Sequence, residues 1–133
     1  MKSYFKSMSI VGLLTLIVLA GCSKSNDLAP YKPEISNSTD NFQLQATGVK
    51  NLTTTLTYDW KNTGVMANIN KSGVVTSGEA RVTLYDAANS QVYQGNLKTT
   101  GTEQSTAEVS GSWKIKLELI NMSGDLNFRV QKR

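Results

Sequence analysis

From Asn41 onward the side chains alternate between apolar and polar with a period of two, and this pattern excludes most folds open to the chain. Phe42, Leu44 and Ala46 alternate with Gln43, Gln45 and Thr47; Leu52, Thr54, Leu56, Tyr58 and Trp60 share one face against Thr53, Thr55, Thr57 and Asp59. A period of two sends successive side chains to opposite sides of an extended backbone, which is the signature of half-buried strands. After a turn at Asn62-Thr63-Gly64, Val65, Ala67 and Ile69 resume the alternation as far as a second turn at Asn70-Lys71-Ser72-Gly73. Ala80, Val82 and Leu84 then oppose Glu79, Arg81, Thr83 and Tyr85, and beyond Asp86-Ala87-Ala88-Asn89 a partner strand begins with Val92 and Tyr93. The clearest hairpin closes the chain: Trp113, Ile115, Leu117 and Leu119 lead to a turn at Asn121-Met122-Ser123-Gly124, and Leu126, Phe128 and Val130 return. Helical periodicity is sustained nowhere in this region. The expected fold is all-β, an antiparallel β-sandwich of about seven to eight strands over residues 41–133, with a closed barrel as the alternative.

The amino-terminal region has a different grammar. Lys2 and Lys6 precede an apolar run from Ile10 to Leu19, which ends on the small residues Ala20 and Gly21 before Cys22. The run falls short of the roughly 20 apolar residues a membrane-spanning helix needs, and its layout is that of a cleavable export signal. Leu19-Ala20-Gly21-Cys22 resembles the lipobox of bacterial lipoproteins. The resemblance implies recognition of Leu19, Ala20 and Gly21 by the signal peptidase, cleavage before Cys22, and palmitate-type acyl chains on the cysteine and the new amino terminus. Residues 1–21 are then the signal peptide, and the membrane is a partner through lipid on Cys22. Residues 22–40, rich in Ser, Asn and Lys with Pro30 and Pro33, are expected to form a flexible tether. Its last 18 or so residues have a root-mean-square reach of about 24 Å as a coil. Within it, Tyr31 and Ile35 are expected to form an edge strand or to pack on the domain. Ser23 is not the aspartate that marks inner-membrane retention in some Gram-negative systems, so the resemblance points to the outer membrane and leaves both of its faces open.

Composition narrows the chemistry. The single cysteine is consumed by lipid and histidine is absent, which removes catalytic triads, thiol chemistry and His- or Cys-based metal sites. Of 14 basic and 10 acidic residues, Lys2 and Lys6 leave with the signal, so the mature chain carries 12 against 10. No basic cluster remains that makes several phosphate contacts, which argues against nucleic acid as a partner. No cofactor, metal or enzymatic activity is expected.

Trp60 and Trp113 are the natural residues for stacking on a sugar, but both lie in phase with the apolar faces of their strands and are expected to anchor the core. Tyr85 falls on the polar side of its strand and Tyr93 across the same expected hairpin, which makes the two an exposed aromatic pair and the candidate ligand-binding residues. The carboxylates are scattered singly; Asp86 and Asn89 read as turn chemistry rather than as calcium ligands.

The stretches Tyr58-Asp59-Trp60-Lys61-Asn62-Thr63-Gly64, Ala80-Arg81-Val82-Thr83-Leu84-Tyr85-Asp86-Ala87, Gly111-Ser112-Trp113-Lys114-Ile115 and Ser123-Gly124-Asp125-Leu126-Asn127-Phe128 resemble small single-domain lipoproteins of Bacteroidota-type envelopes. The resemblance implies fold and address only. More faintly, the order of strands is similar to the β-sandwich accessory domains of secreted bacterial peptidases. The expectation that follows is a lipid-anchored, non-enzymatic binding module for an envelope protein or a glycan. A structural envelope lipoprotein without a specific ligand is the alternative, and a hydrolase built on carboxylates comes after it.

Overall fold

A computed structural model describes residues 27–133. Cys22 and the residues Leu19, Ala20 and Gly21 before it lie outside the described residues. A short 3-10 turn at Ala29–Tyr31 leads into seven strands: β1 (Glu34–Ser38), β2 (Asn41–Asn62), β3 (Ala67–Lys71), β4 (Val74–Tyr85), β5 (Gln91–Asn96), β6 (Gly101–Gln104) and β7 (Gly111–Lys132). All pair antiparallel in one sheet, and the fold is the all-β, sandwich-like architecture that the alternation predicts.

How one sheet makes a sandwich follows from its two 22-residue strands. β2 and β7 pair along their whole length, from Asn41 opposite Gln131 to Asn62 opposite Gly111. On the far side of β7, β3 covers Phe128 to Lys132 and β4 covers Lys114 to Asp125, so β3 and β4 together make a third long run. These runs fold back on themselves. The Phe42 and Tyr58 rings, 16 positions apart on one strand, have centroids 5.2 Å apart, whereas a straight strand would separate them by about 50 Å. The backbone N–H of Asp40 likewise donates to the Lys61 carbonyl at 2.8 Å. The first half of β2 and the second half of β7, with β1, β3 and β6, form one layer (layer A). The second half of β2 and the first half of β7, with β4 and β5, form the other (layer B).

The crease is written in left-handed residues that line up across neighbouring strands. Gly48 (φ 67°) and Asn51 (φ 44°) bend β2, Asn121 (φ 45°) and Gly124 (φ 129°) bend β7, and Gly78 (φ 72°) bends β4. The register shifts of both pairings fall at the same level, between Ala46 and Thr54 on β2 and between Val75 and Glu79 on β4. Such bulges sharpen the bend of a strand while keeping its ladder.

Two expectations are corrected here. Residues 113–119 and 126–130 are not a hairpin: Asn121-Met122-Ser123-Gly124 is a crease within β7, and both halves bond to β2 and not to each other. Residues 27–40 are not a flexible tether: Glu34–Ser38 pairs with β2 as an edge strand and Tyr31 packs on the core, as expected for Tyr31 and Ile35, and Leu28 is wholly buried. Apolar burial holds this segment, since a Leu side chain removed from water is worth about 2 kcal/mol and ties down the chain that carries it.

Between the layers lies a single core. Trp60 and Trp113 sit opposite each other in the β2–β7 register, edge to face at 5.9 Å, with their Nε1–H groups donating to the carbonyls of Ser38 and Val109. They are core anchors, as their phase predicts.

Candidate functional site

The expected pair of exposed tyrosines does not form. Tyr93 sits opposite Leu84, whose side chain points inward, and is itself only 8 % exposed. Tyr85, one residue on, is half-buried opposite Gln91. The reason is a register shift in the β4–β5 pairing between Leu84 and Tyr85, which a period-two reading cannot see.

Tyr93 belongs instead to a partly buried polar cluster. Its ring folds over Gly95, and its hydroxyl donates to Glu103 Oε2 at 2.9 Å. Glu103 Oε1 accepts from the Nζ of Lys71, which also donates to the Asn96 carbonyl and to Thr99 Oγ1, both at 3.1 Å. All three donors of this 3 % exposed ammonium are therefore engaged. Lys71 and the Tyr93 hydroxyl hold the Glu103 carboxyl below its usual range, while burial and the neighbouring carboxylate push Tyr93 up. The cluster ties β3, β5, β6 and the loop after β5 together, with the Lys71 ammonium buried and the Glu103 carboxylate reaching solvent.

The other carboxylates with perturbed titration are also committed. Asp86 is lowered chiefly by the N–H of Ser90, with those of Val109 and Ala88, which makes it the staple of the β4–β5 turn. Asp40 is lowered by the backbone N–H and hydroxyl of Thr63, and Glu118 by Arg81 and Lys116. A carboxyl depressed in the folded state contributes stability that is present above its unfolded value and lost as pH falls through its folded one. With ordinary values of 3.8 for Asp and 4.5 for Glu, resistance to urea is expected to be flat from about pH 5 to pH 9 and to fall steeply below about pH 4. Tyr93, raised above its ordinary 10.0, has the opposite sign and erodes stability above that pH. Urea titrations followed by the fluorescence of Trp60 and Trp113 at pH 7, 4 and 3 check this, and an unchanged midpoint at pH 3 contradicts it.

Among the described residues no three His, Cys, Asp or Glu side chains come together to hold a metal ion. What the fold does assemble is a polar surface. On the outward face of layer A, β2 places Asn41, Gln43 and Gln45 beside Gln131, Arg129 and Asn127 of β7, residue opposite residue. β3 continues the rows, with Asn68 opposite Gln131 and Asn70 opposite Arg129, and β6 adds Gln104 and Thr102. Side chains knit along the rows: Arg129 Nη2 donates to Gln43 Oε1 at 3.0 Å, Gln131 Nε2 to Asn41 Oδ1 at 3.1 Å, and Asn70 Nδ2 to Thr102 Oγ1 at 2.9 Å. A shallow groove of about 250 Å³ runs between Gln43, Asn70, Ser72, Asn127, Arg129 and Gln131. On the same face the Oδ1 of Asn68 is buried without a hydrogen-bond partner.

The outward face of layer B differs. There the ion pairs Arg81–Glu118 (2.6 Å), Lys116–Glu118 (3.1 Å) and Lys114–Asp59 (2.8 Å) stand among the exposed threonines 53, 55 and 57. Such exposed pairs contribute little. The amide face escaped the sequence reading because each polar position looked like ordinary solvent exposure. The recoverable signal was amides recurring at every second position in segments as distant as 41–45, 68–70 and 127–131.

No protein-family model matches the chain, and no curated protein matches it.

Proposed function

We propose that this protein is a lipid-anchored component of the bacterial cell envelope whose folded domain is a non-enzymatic binding module. The observation that carries the reading is how close to Cys22 the chain is packed onto the domain. Asp27, five positions after Cys22, already accepts a hydrogen bond from the Thr54 hydroxyl, and Leu28 is buried in the core. At 3.3–3.6 Å per residue, a lipid on Cys22 would keep Asp27 within about 18 Å of its attachment point. Two or more acyl chains hold a protein stably at a bilayer. The module reading is supported by the carboxylates described above, which are engaged in turns and ion pairs.

The test is incorporation of labelled palmitate in cells, with Cys22→Ser alongside. The wild-type chain is expected to take up label and to sediment with membranes after a high-salt wash, and the variant to lose both. An unlabelled wild-type chain, or a variant that sediments equally well, contradicts the anchor. Protease shaving of intact cells then assigns the face: cleavage with the outer membrane sealed places the domain outside, and protection places it in the periplasm.

A further inference from the structure

We propose that the outward face of layer A is a glycan-binding surface, which takes an uncharged polyhydroxylated polymer laid along its rows of amides. The inference rests on the binding-module reading and names the site and the ligand class.

Three features select that ligand. The first is valence. A side-chain amide offers two donors and an acceptor at one end, and a sugar hydroxyl is both donor and acceptor, so the groups match in either orientation. After their mutual bonds, Gln43 keeps its NH₂ donors and Gln131 its carbonyl oxygen for a ligand. The second is charge. Arg129 is the only ionised group lining the groove, so an acidic polymer meets a single cation where a phosphate binder presents many. The third is the lack of an apolar anchor. Protein interfaces are held by a desolvated core of aromatic and apolar side chains, and the groove is lined by amides, one hydroxyl and one guanidinium.

The surface is also prepared in advance. Its side chains stand on paired strands and are braced against one another across β2, β7, β3 and β6, which lowers the ordering cost of binding. Individual hydrogen bonds exchange with water and give little each. A long polymer with repeated hydroxyls gains by rebinding at the same surface, as multivalent ligands do.

The mature chain, purified in detergent, is run through native gels cast with dextran, mannan or galactan, and with polygalacturonate for comparison. At least one neutral polymer is expected to retard it. Gln43→Ala with Arg129→Ala, and separately Asn70→Ala with Gln131→Ala, are expected to weaken that retardation about tenfold each. Near-UV circular dichroism of the Trp60–Trp113 pair serves as the check that both variants are folded. Thr55→Ala with Thr57→Ala, on layer B, leaves retardation unchanged. Cys22→Ser leaves it unchanged too, so a failed lipid anchor and a failed glycan site are told apart. Retardation by no neutral polymer, retardation by polygalacturonate alone, equal loss in the layer B variant, or an envelope protein crosslinked at residue 129 in place of any polymer overturns the proposal.

Discussion

Gly124→Ala is expected to cost about 3–5 kcal/mol, a large share of the 5–15 kcal/mol that holds a typical domain together. Gly124 lies at the middle of the crease, opposite Val49 of β2 on one side and Val75 of β4 on the other. Its φ of 129° is a conformation that side-chain-bearing residues rarely adopt, and a Cβ there would overlap the Val74 carbonyl oxygen and crowd the Thr76 nitrogen. Backbone strain of this kind costs about 1–3 kcal/mol by itself, and the clash is with a neighbouring strand that cannot turn aside as a side chain would. Gly48→Ala provides the contrast. It has a left-handed φ of 67° but open space around the missing Cβ, so only the backbone penalty of about 1–2 kcal/mol applies. Urea midpoints of the two variants check the difference; equal losses would mean that the crease tolerates a side chain and that only φ matters.

Glu103→Ala is expected to be the second most damaging change, at about 3 kcal/mol, and to cost more than Lys71→Met. The Lys71 side chain is 2 % exposed and that of Glu103 is 47 % exposed. Removing the carboxylate strands a buried ammonium with only a carbonyl and a hydroxyl for company, and breaking a buried pair in this way costs about 3–5 kcal/mol. The half-exposed position of Glu103 puts the value at the lower end. Removing the ammonium leaves a carboxylate that water already reaches, together with the unpaired Asn96 carbonyl, for about 1–2 kcal/mol. The double variant is therefore expected to be more stable than Glu103→Ala alone, because the stranded charge is gone. A double-mutant cycle measures this directly, and a Glu103→Ala loss no greater than that of Lys71→Met contradicts the account.

Both predictions fall on residues whose roles the linear pattern hides. Gly124 and Asn121 carry the composition of a hairpin turn, and local chemistry cannot distinguish a turn that reverses a strand from a crease that folds it. The difference lies in what the flanking halves pair with, and that is a property of β2, whose paired residues lie 49 to 90 positions away. Lys71 looked like part of a polar turn at 70–73, yet it is the last residue of β3 and faces the core in phase with Ala67 and Ile69. Its burial is possible only because Glu103 and the loop after β5 arrive to engage it. Tyr93 was misplaced for a related reason, since a shift between paired strands leaves no trace in either strand alone.

The amide face shows the same division from the functional side. Alternation was enough to assign Gln43, Gln45, Asn127, Arg129 and Gln131 to the outside of their strands. That they lie beside one another, and beside Asn68 and Asn70, follows from the β2–β7 and β7–β3 registers.

The sequence by itself determined the strand class, most of the inward set of side chains, the place of both tryptophans in the core and, through residues 19–22, the expectation of a lipid anchor. These are readings of period, composition and short motifs, which depend on neighbours a few residues apart. The tertiary structure alone decided that β2 and β7 run unbroken across both layers, that Leu28 is buried in the core, that Lys71 is buried against Glu103, and that amides from distant segments share one face. Each of these depends on which strands pair and in what register, and that choice is made by burying the inward faces of the whole sheet at once, since a slip of one residue would expose them all.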